Sequence, residues 1–387
     1  MAKPEGHLER AERVAVIAAA HVAEVDRDAR FPHEAIAALK AERLLGAAAP
    51  VADGGLGLTM TELVGVCQRL GQACASTAMI FAMHQIQLAC LVRHGRGVPF
   101  FEGYVRELCA EQRLVASVTS EVGTGGDLRS SRCAVEVDGA KLSLRKEATT
   151  ISYGEHADEL LVTCRRAPSA PASDQALVLL RRGEFQLERT STWDTLGMRG
   201  TCSPGFVLTA TGAATQVLPT PFADVAARTM VPYSHILWSG TWLGNATDAV
   251  GRARAFVRAA ARQTPGNTPP GALRVAEVAA LLQTMRAQVL EVVDECDRLM
   301  AEGQAGDESL STVGFALKMN NLKISASQQV TDICARALGI CGMAGYKSDS
   351  KYSIGRHLRD AHSAALMISN DRIYQTNASL MLVHKDA

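Results

Sequence analysis

Several groups of residues in this chain of 387 amino acids are of types that can do chemistry, and each also has a plain structural reading. The segment Ser120-Glu121-Val122-Gly123-Thr124-Gly125-Gly126-Asp127 is rich in glycine, which brings backbone N–H groups close to a bound molecule without side-chain interference. Ser120 adds a hydroxyl donor to that loop. A second glycine segment, Pro50 to Leu58, carries Gly54, Gly55 and Gly57 and by itself reads as a turn. Arg262 is either a solvated surface arginine or a permanent charge able to grip an anion with two parallel hydrogen bonds. His235 lies on an apolar helix, where a histidine is either packed and hydrogen-bonded or catalytic. Asp371, followed by Arg372, either caps or salt-bridges the last helix or supplies a carboxylate. Ten cysteines are scattered with no Cys-x-x-Cys pair, which fits small buried hydrophobes in a reducing compartment, with no metal site and no disulfides.

The elements that must position these residues follow from pattern. Up to about Arg113 the chain reads as helices, with Ala35, Leu39, Leu44 and Leu45 following Phe31-Pro32, where proline can open a helix. Short apolar runs then alternate with turn-like clusters (Leu114 to Val118, Leu142 to Leu144, Leu160 to Thr163, Leu177 to Leu180, Phe206 to Thr209), as strands do. From about Val225 the helical period returns: Val275, Val278, Leu282, Met285, Val289 and Val292 share one face of a long helix suited to an antiparallel bundle. The expected regions are therefore a helical domain over residues 1–113, a β-domain over 114–222 and a helical bundle over 223–387. Lys plus Arg and Asp plus Glu both number 40, so no basic excess exists to hold a nucleic-acid backbone. The first thirty residues have no signal-peptide core, and no apolar run approaches the ~20 residues that span a bilayer. The expectation is a cytoplasmic protein with neither nucleic-acid nor membrane partners.

The order of helices, strands and helices resembles the acyl-CoA dehydrogenases, and several motifs match that family in sequence order. Pro50 to Leu58 is similar to its Pro-x-x-x-Gly-Gly-x-Gly segment, and Ser120 to Asp127 to the Thr-Glu-Pro-x-Ala/Gly-Gly-Ser-Asp signature that opens the β-domain. Thr150-Ile151-Ser152 stands where the family has Trp-Ile-Thr, so the tryptophan that covers the flavin ring is replaced by Thr150. Leu196 to Thr201 resembles the family's Gly-x-Arg-Gly-Ser, and Arg262-Gln263-Thr264-Pro265-Gly266 its Arg-x-x-Phe-Gly. Ile340-Cys341-Gly342-Met343-Ala344-Gly345-Tyr346 resembles the Ile-x-Gly-Gly-x-Gly-Phe/Tyr turn, and Arg359-Asp360-Ala361 the family's Arg-Asp-Ala.

This resemblance implies an α+β chain: an N-terminal helical domain, a central β-barrel-like domain and a C-terminal four-helix bundle. It implies FAD as cofactor, with Ser120, Gly125, Gly126 and Ser152 around the flavin ring. Arg262 falls to the pyrophosphate, and Gly342 and Gly345 to the adenosine part across a subunit interface. A shared cofactor implies a homodimer or homotetramer. The implied reaction is oxidation of an acyl thioester, carried by CoA or a carrier protein, to its α,β-unsaturated form, with an electron-accepting flavoprotein as a further partner.

One part of the family pattern is missing. The family's base is a glutamate about nine residues after the Arg of Arg-Asp-Ala, where a desolvated carboxylate removes the α proton. Here that count reaches Ile368, and no glutamate lies between Arg359 and Ala387. The alternative family position, about Tyr233-Ser234-His235, also lacks a carboxylate. Asp371 and His235 are the substitute candidates. The other readings are a flavin-dependent monooxygenase, which needs no α-proton base, and a catalytically silent partner subunit of a mixed oligomer.

Overall fold

A computed structural model describes residues 6–125, 127–263 and 265–384. Five helices come first: α1 (His7–Arg27), α2 (His33–Ala41), α3 (Met60–Ala73), α4 (Ala75–His94) and α5 (Pro99–Glu111). Thr59 starts α3 because its side chain accepts from Glu62 N while the Glu62 carboxylate accepts from Thr59 N. Pro99 opens α5 at a position whose N–H has no helical partner to lose.

Seven strands follow: β1 (Val115–Val118), β2 (Glu136–Asp138), β3 (Lys141–Ala148), β4 (Glu159–Arg165), β5 (Gln175–Arg181), β6 (Phe185–Arg189) and β7 (Phe206–Ala213). They form two sheets, β1-β4-β5 with β1 and β4 parallel, and the antiparallel β2-β3-β7-β6. The described residues thus form two open sheets where the resemblance implied a barrel. β1 and β2 are too short, at 4 and 3 residues, to carry a continuous ladder from one sheet to the other.

The C-terminal part holds α6 (Phe222–Val225), a π-helical turn (Ala226–Met230), α7 (Val231–Gln263), α8 (Gly271–Ala301), α9 (Gln304–Leu310), α10 (Val313–Cys341), α11 (Met343–Tyr346), α12 (Gly355–His362) and α13 (Asn370–Met381). Lys318 of α10 pairs with Glu291 and Glu295 of α8, and Ser325 bonds Gln288, so these two helices run antiparallel. α3 lies directly on α7. A Cβ on Gly244 would fall 2.3 Å from Gln68 O, and one on Gly71 2.5 Å from Thr241 O, so only glycine allows that approach.

α4 corrects the membrane reading of the sequence, because its length and hydropathy match those of a membrane span, yet 89% of the apolar window is buried inside the protein. It packs against α7, α3 and β1, and a helix covered on all sides is apolar all round. All ten cysteines are free thiols and nine of them are buried.

Candidate functional site

The loop after β1 is pinned from inside. Glu121, 6% exposed, accepts from Ser131 Oγ at 2.7 Å and from the N–H groups of Arg132 and Cys133 at 3.1 and 2.6 Å. Buried Lys146 stands 3.8 Å from the same carboxylate and donates to the carbonyls of Val118 and Thr163. Glu121 is therefore a staple that holds the glycine segment against the sheet. Ser120 Oγ donates to Thr150 O at 2.6 Å and accepts from Thr150 N at 3.1 Å, joining that loop to the end of β3. Gly125 has φ +58°, and a Cβ there would lie 2.7 Å from Arg372 Nη2 on α13. The loop after β1 thus meets the start of α13 at Gly125, while Ser120 ties it to Thr150. Gly126 lies outside the described residues.

Ser152 belongs to a chain of hydroxyls. Ser203 Oγ donates to Ser152 Oγ at 2.9 Å, and Thr201 Oγ1, 2.9 Å from Ser203 Oγ, donates on to Met198 O. Ser203 is the one side-chain partner of Ser152 among the described residues and also lies 3.3 Å from Thr201 O, so when Ser203 donates to Ser152 the Ser152 proton is available to a ligand. The turn beneath is clamped by the Arg-Asp-Ala segment: Asp360 accepts from Met198 N at 2.7 Å, while Arg359 forks onto the Asp26 carboxylate and donates to Leu196 O. A Cβ on Gly197 would meet Arg359 O at 2.2 Å. Arg359 and Asp360 accordingly position the turn that carries Thr201 and Ser203.

Arg262, Gly342 and Gly345 form a separate group. Arg262 is exposed in the last turn of α7, Gly342 (φ +55°) ends α10, and Gly345 is buried against Cys341. Their end of the bundle, where a Cβ on Gly271 would touch Val257 and come within 3.9 Å of Ile340, carries the exposed Met343 and Tyr346. A glycine loop with no room for a side chain and an uncommitted Ser152 donor together fit an acceptor-edged ring such as a flavin.

The two candidate bases differ sharply. Asp371 is exposed in the first turn of α13, where a carboxylate suits the helix dipole. His235 is buried on α7. Burial, with Lys323 nearby as the lesser cause, pushes it down to about 3, so it is a neutral imidazole near pH 7 and a weak proton acceptor.

Lys323 itself escapes sequence reasoning. Its fully buried ammonium donates to Ile368 O at 2.6 Å and Asn370 Oδ1 at 2.7 Å, and burial lowers it to about 8. A signal existed, because Phe315, Met319, Leu322 and Ala326 define the inward face of α10 and Lys323 falls on it. Ile368, where the family glutamate is expected, has φ +48°, an outlying conformation for a β-branched residue.

Comparison with known proteins adds the following. Residues 9–97 match the acyl-CoA dehydrogenase N-terminal domain and residues 225–368 the acyl-CoA dehydrogenase C-terminal domain. The chain is 22% identical over 358 residues, 90% of each sequence, to cyclohex-1-ene-1-carbonyl-CoA dehydrogenase of Geobacter metallireducens. A dibenzothiophene monooxygenase from Paenibacillus sp. A11-2 is similar in structure, with TM-score 0.81 and 20% identity over 98% of both chains. A nitrososynthase from Micromonospora carbonacea var. africana gives TM-score 0.81 and 20% identity over 96% of this chain and 95% of that one.

Proposed function

The chain belongs to the acyl-CoA dehydrogenase family, a family of flavoprotein oxidoreductases, and on that premise we propose that it is a flavin-dependent monooxygenase acting on a small substrate. The observation that carries this reading is the residue set at Ile368. Where a carboxylate base belongs, an aliphatic side chain sits on a strained backbone, and its carbonyl is held by a buried ammonium. A carboxylate beside that ammonium would be stabilised in its charged form and would be a poor base. Neutral His235 does not replace it, and exposed Asp371 is not desolvated.

When bound, the flavin supplies the two-electron chemistry. Overall, dioxygen and two electrons from a reduced nicotinamide, delivered through a reductase, place one oxygen atom on the substrate and release the other as water. The chain's own part is to hold and shield. Ser152 donates toward the ring, the Gly125 loop presents backbone N–H groups, and the Arg359 and Asp360 clamps fix the turn behind Ser203. We propose FAD as the flavin, with Arg262, Gly342 and Gly345 of a second subunit receiving its adenosine half, because these three stand apart from the Ser120 and Ser152 group within one chain.

The test mixes flavin-loaded protein with acyl thioesters in the absence of oxygen, and separately measures oxygen uptake with a reductase and reduced nicotinamide. The expected result is no anaerobic bleaching, with oxygen uptake. Bleaching by a thioester would instead establish the dehydrogenase reading, which the full-length likeness to the Geobacter dehydrogenase favours and which would make Asp371 the base to test. Protein that takes up no flavin would establish the silent-subunit reading. Released cofactor should run as FAD, and Arg262→Ala should weaken its retention by roughly 10- to 100-fold, the worth of a charge-assisted contact. FMN in its place would remove any role for Arg262 and Gly342 in cofactor binding.

A further inference from the structure

We infer that Lys323, His235 and Trp238 form a binding site for an anionic oxygen of the substrate, a carboxylate or phenolate, beside Ile368. This deepens the proposed oxygenation and rests on it for the site's place next to the flavin. The first observation is an excess of donors. Lys323 donates two hydrogens, to Ile368 O and Asn370 Oδ1, and the third has no acceptor among the described residues. Trp238 Nε1 and His235 Nδ1 are buried without a partner among those residues. Trp238 and His235 are three residues apart on α7, on one face, with ring centroids 6.3 Å apart. An indole N–H can only donate, so Trp238 Nε1 is left without an acceptor, while the His235 ring beside it also engages the Asn320 side chain.

The second observation is charge. Lys323 is 0% exposed, and no carboxylate pairs with it among the described residues. Burial is the sole cause of its lowered pKa, which still leaves the ammonium largely protonated near neutrality. A buried cation without a counter-charge is costly, and an anion that completes it recovers much of that cost. The polar neighbours, Asn320 and Ser327 on its own helix α10 and Asn370 and Asn377 of α13, are all neutral. A neutral thioester would leave the charge uncompensated, whereas a carboxylate or phenolate completes it.

The test titrates the flavin-loaded full chain, oxidised and without turnover, with benzoate and with its neutral isostere benzamide. Binding is followed by quenching of tryptophan fluorescence and by calorimetry. Benzoate should bind about tenfold or more tighter than benzamide, as one charge-assisted hydrogen bond requires, and Lys323→Met should abolish that preference. Trp238→Phe keeps the ring and removes the N–H, and should weaken benzoate about three- to tenfold. The inference is overturned if benzoate binds no better than benzamide, or if Lys323→Met retains the preference. Should that variant fail to fold, unchanged benzoate affinity in both Trp238→Phe and His235→Asn overturns it. Displacement of flavin by benzoate would assign the site to the cofactor and overturn it too. Anaerobic bleaching by a thioester, with the benzoate preference intact, would overturn the oxygenation reading while leaving this site standing.

Discussion

At the scale of single residues, the site is built by side chains that hold other side chains. Ser203 engages both Ser152 and Thr201, so removing the Ser152 hydroxyl leaves the turn intact and subtracts one donor from the ligand. Ser152→Ala should weaken flavin binding by roughly 2- to 10-fold, about 0.5–1.5 kcal/mol, while the melting temperature barely moves. Equal flavin affinity in wild type and variant, by fluorescence titration, would show that this proton points elsewhere. Motif matching pointed to Ser120, Gly125 and Ser152 because each lies in a short segment just after a strand, β1 for the first two and β3 for the third. It left Arg359 and Asp360 without a role, since their partners Asp26, Leu196 and Met198 are more than 160 residues away in sequence. Lys323 was legible only as a charged residue on an apolar helix face. Its meaning depends on Ile368 and Asn370, which no local pattern brings to it.

At the scale of elements, α8 was readable because it buries a single stripe, Val278, Leu282, Met285, Val289 and Val292. The alternation in β3 was readable too, with Leu142, Leu144 and Ala148 inward and Lys146 on that same buried face. Strand partners were not readable. β1 pairs β4 across more than 40 residues, and β3 pairs β7 across 58 to 72, so register is set by tertiary packing. The contact of α3 with α7 is equally non-local, yet it fixes α7 and hence His235 and Trp238. Gly244→Leu would drive a side chain into the Gln68 carbonyl and force the two helices apart. A loss of about 1–3 kcal/mol is expected from such overpacking, read as a lower urea midpoint, with weaker ligand binding as α7 shifts. An unchanged midpoint would mean that the helices separate at little cost.

At the scale of the whole molecule, buried titratable groups set the response to pH. Burial lowers His84, His94 and His357 to about 4 and His235 to about 3, so in the folded state all four stay neutral down to those values. The unfolded chain binds those protons near pH 6.5, so each histidine's contribution is lost as pH falls through the window from 6.5 to 4. Asp360 and Glu159, raised by burial to about 6 and about 8, work the other way, because the folded state keeps their protons. Four imidazoles against two carboxyls leave about two extra protons on the unfolded chain near pH 5.5. Stability should then fall by roughly 2.5–3 kcal/mol per pH unit on acidification there, and His84→Gln should flatten the slope of urea stability against pH. Assembly belongs to the same scale. The Ser120 and Ser152 group stands apart from the Arg262 and Gly342 group in one chain, and exposed apolar side chains gather near both, Met343 and Tyr346 at one and Leu366, Tyr374 and Met381 around α13. A dinucleotide flavin that joins the first group of one subunit to the second group of another would bind only the assembled protein and stabilise it by mass action. Stripping the flavin should therefore shift the protein toward smaller species in sedimentation velocity, and restoring FAD should reverse the shift while FMN, lacking the adenosine half, should not. Identical sedimentation of stripped and loaded protein over a wide concentration range would separate cofactor binding from assembly and confine the cofactor to a single chain.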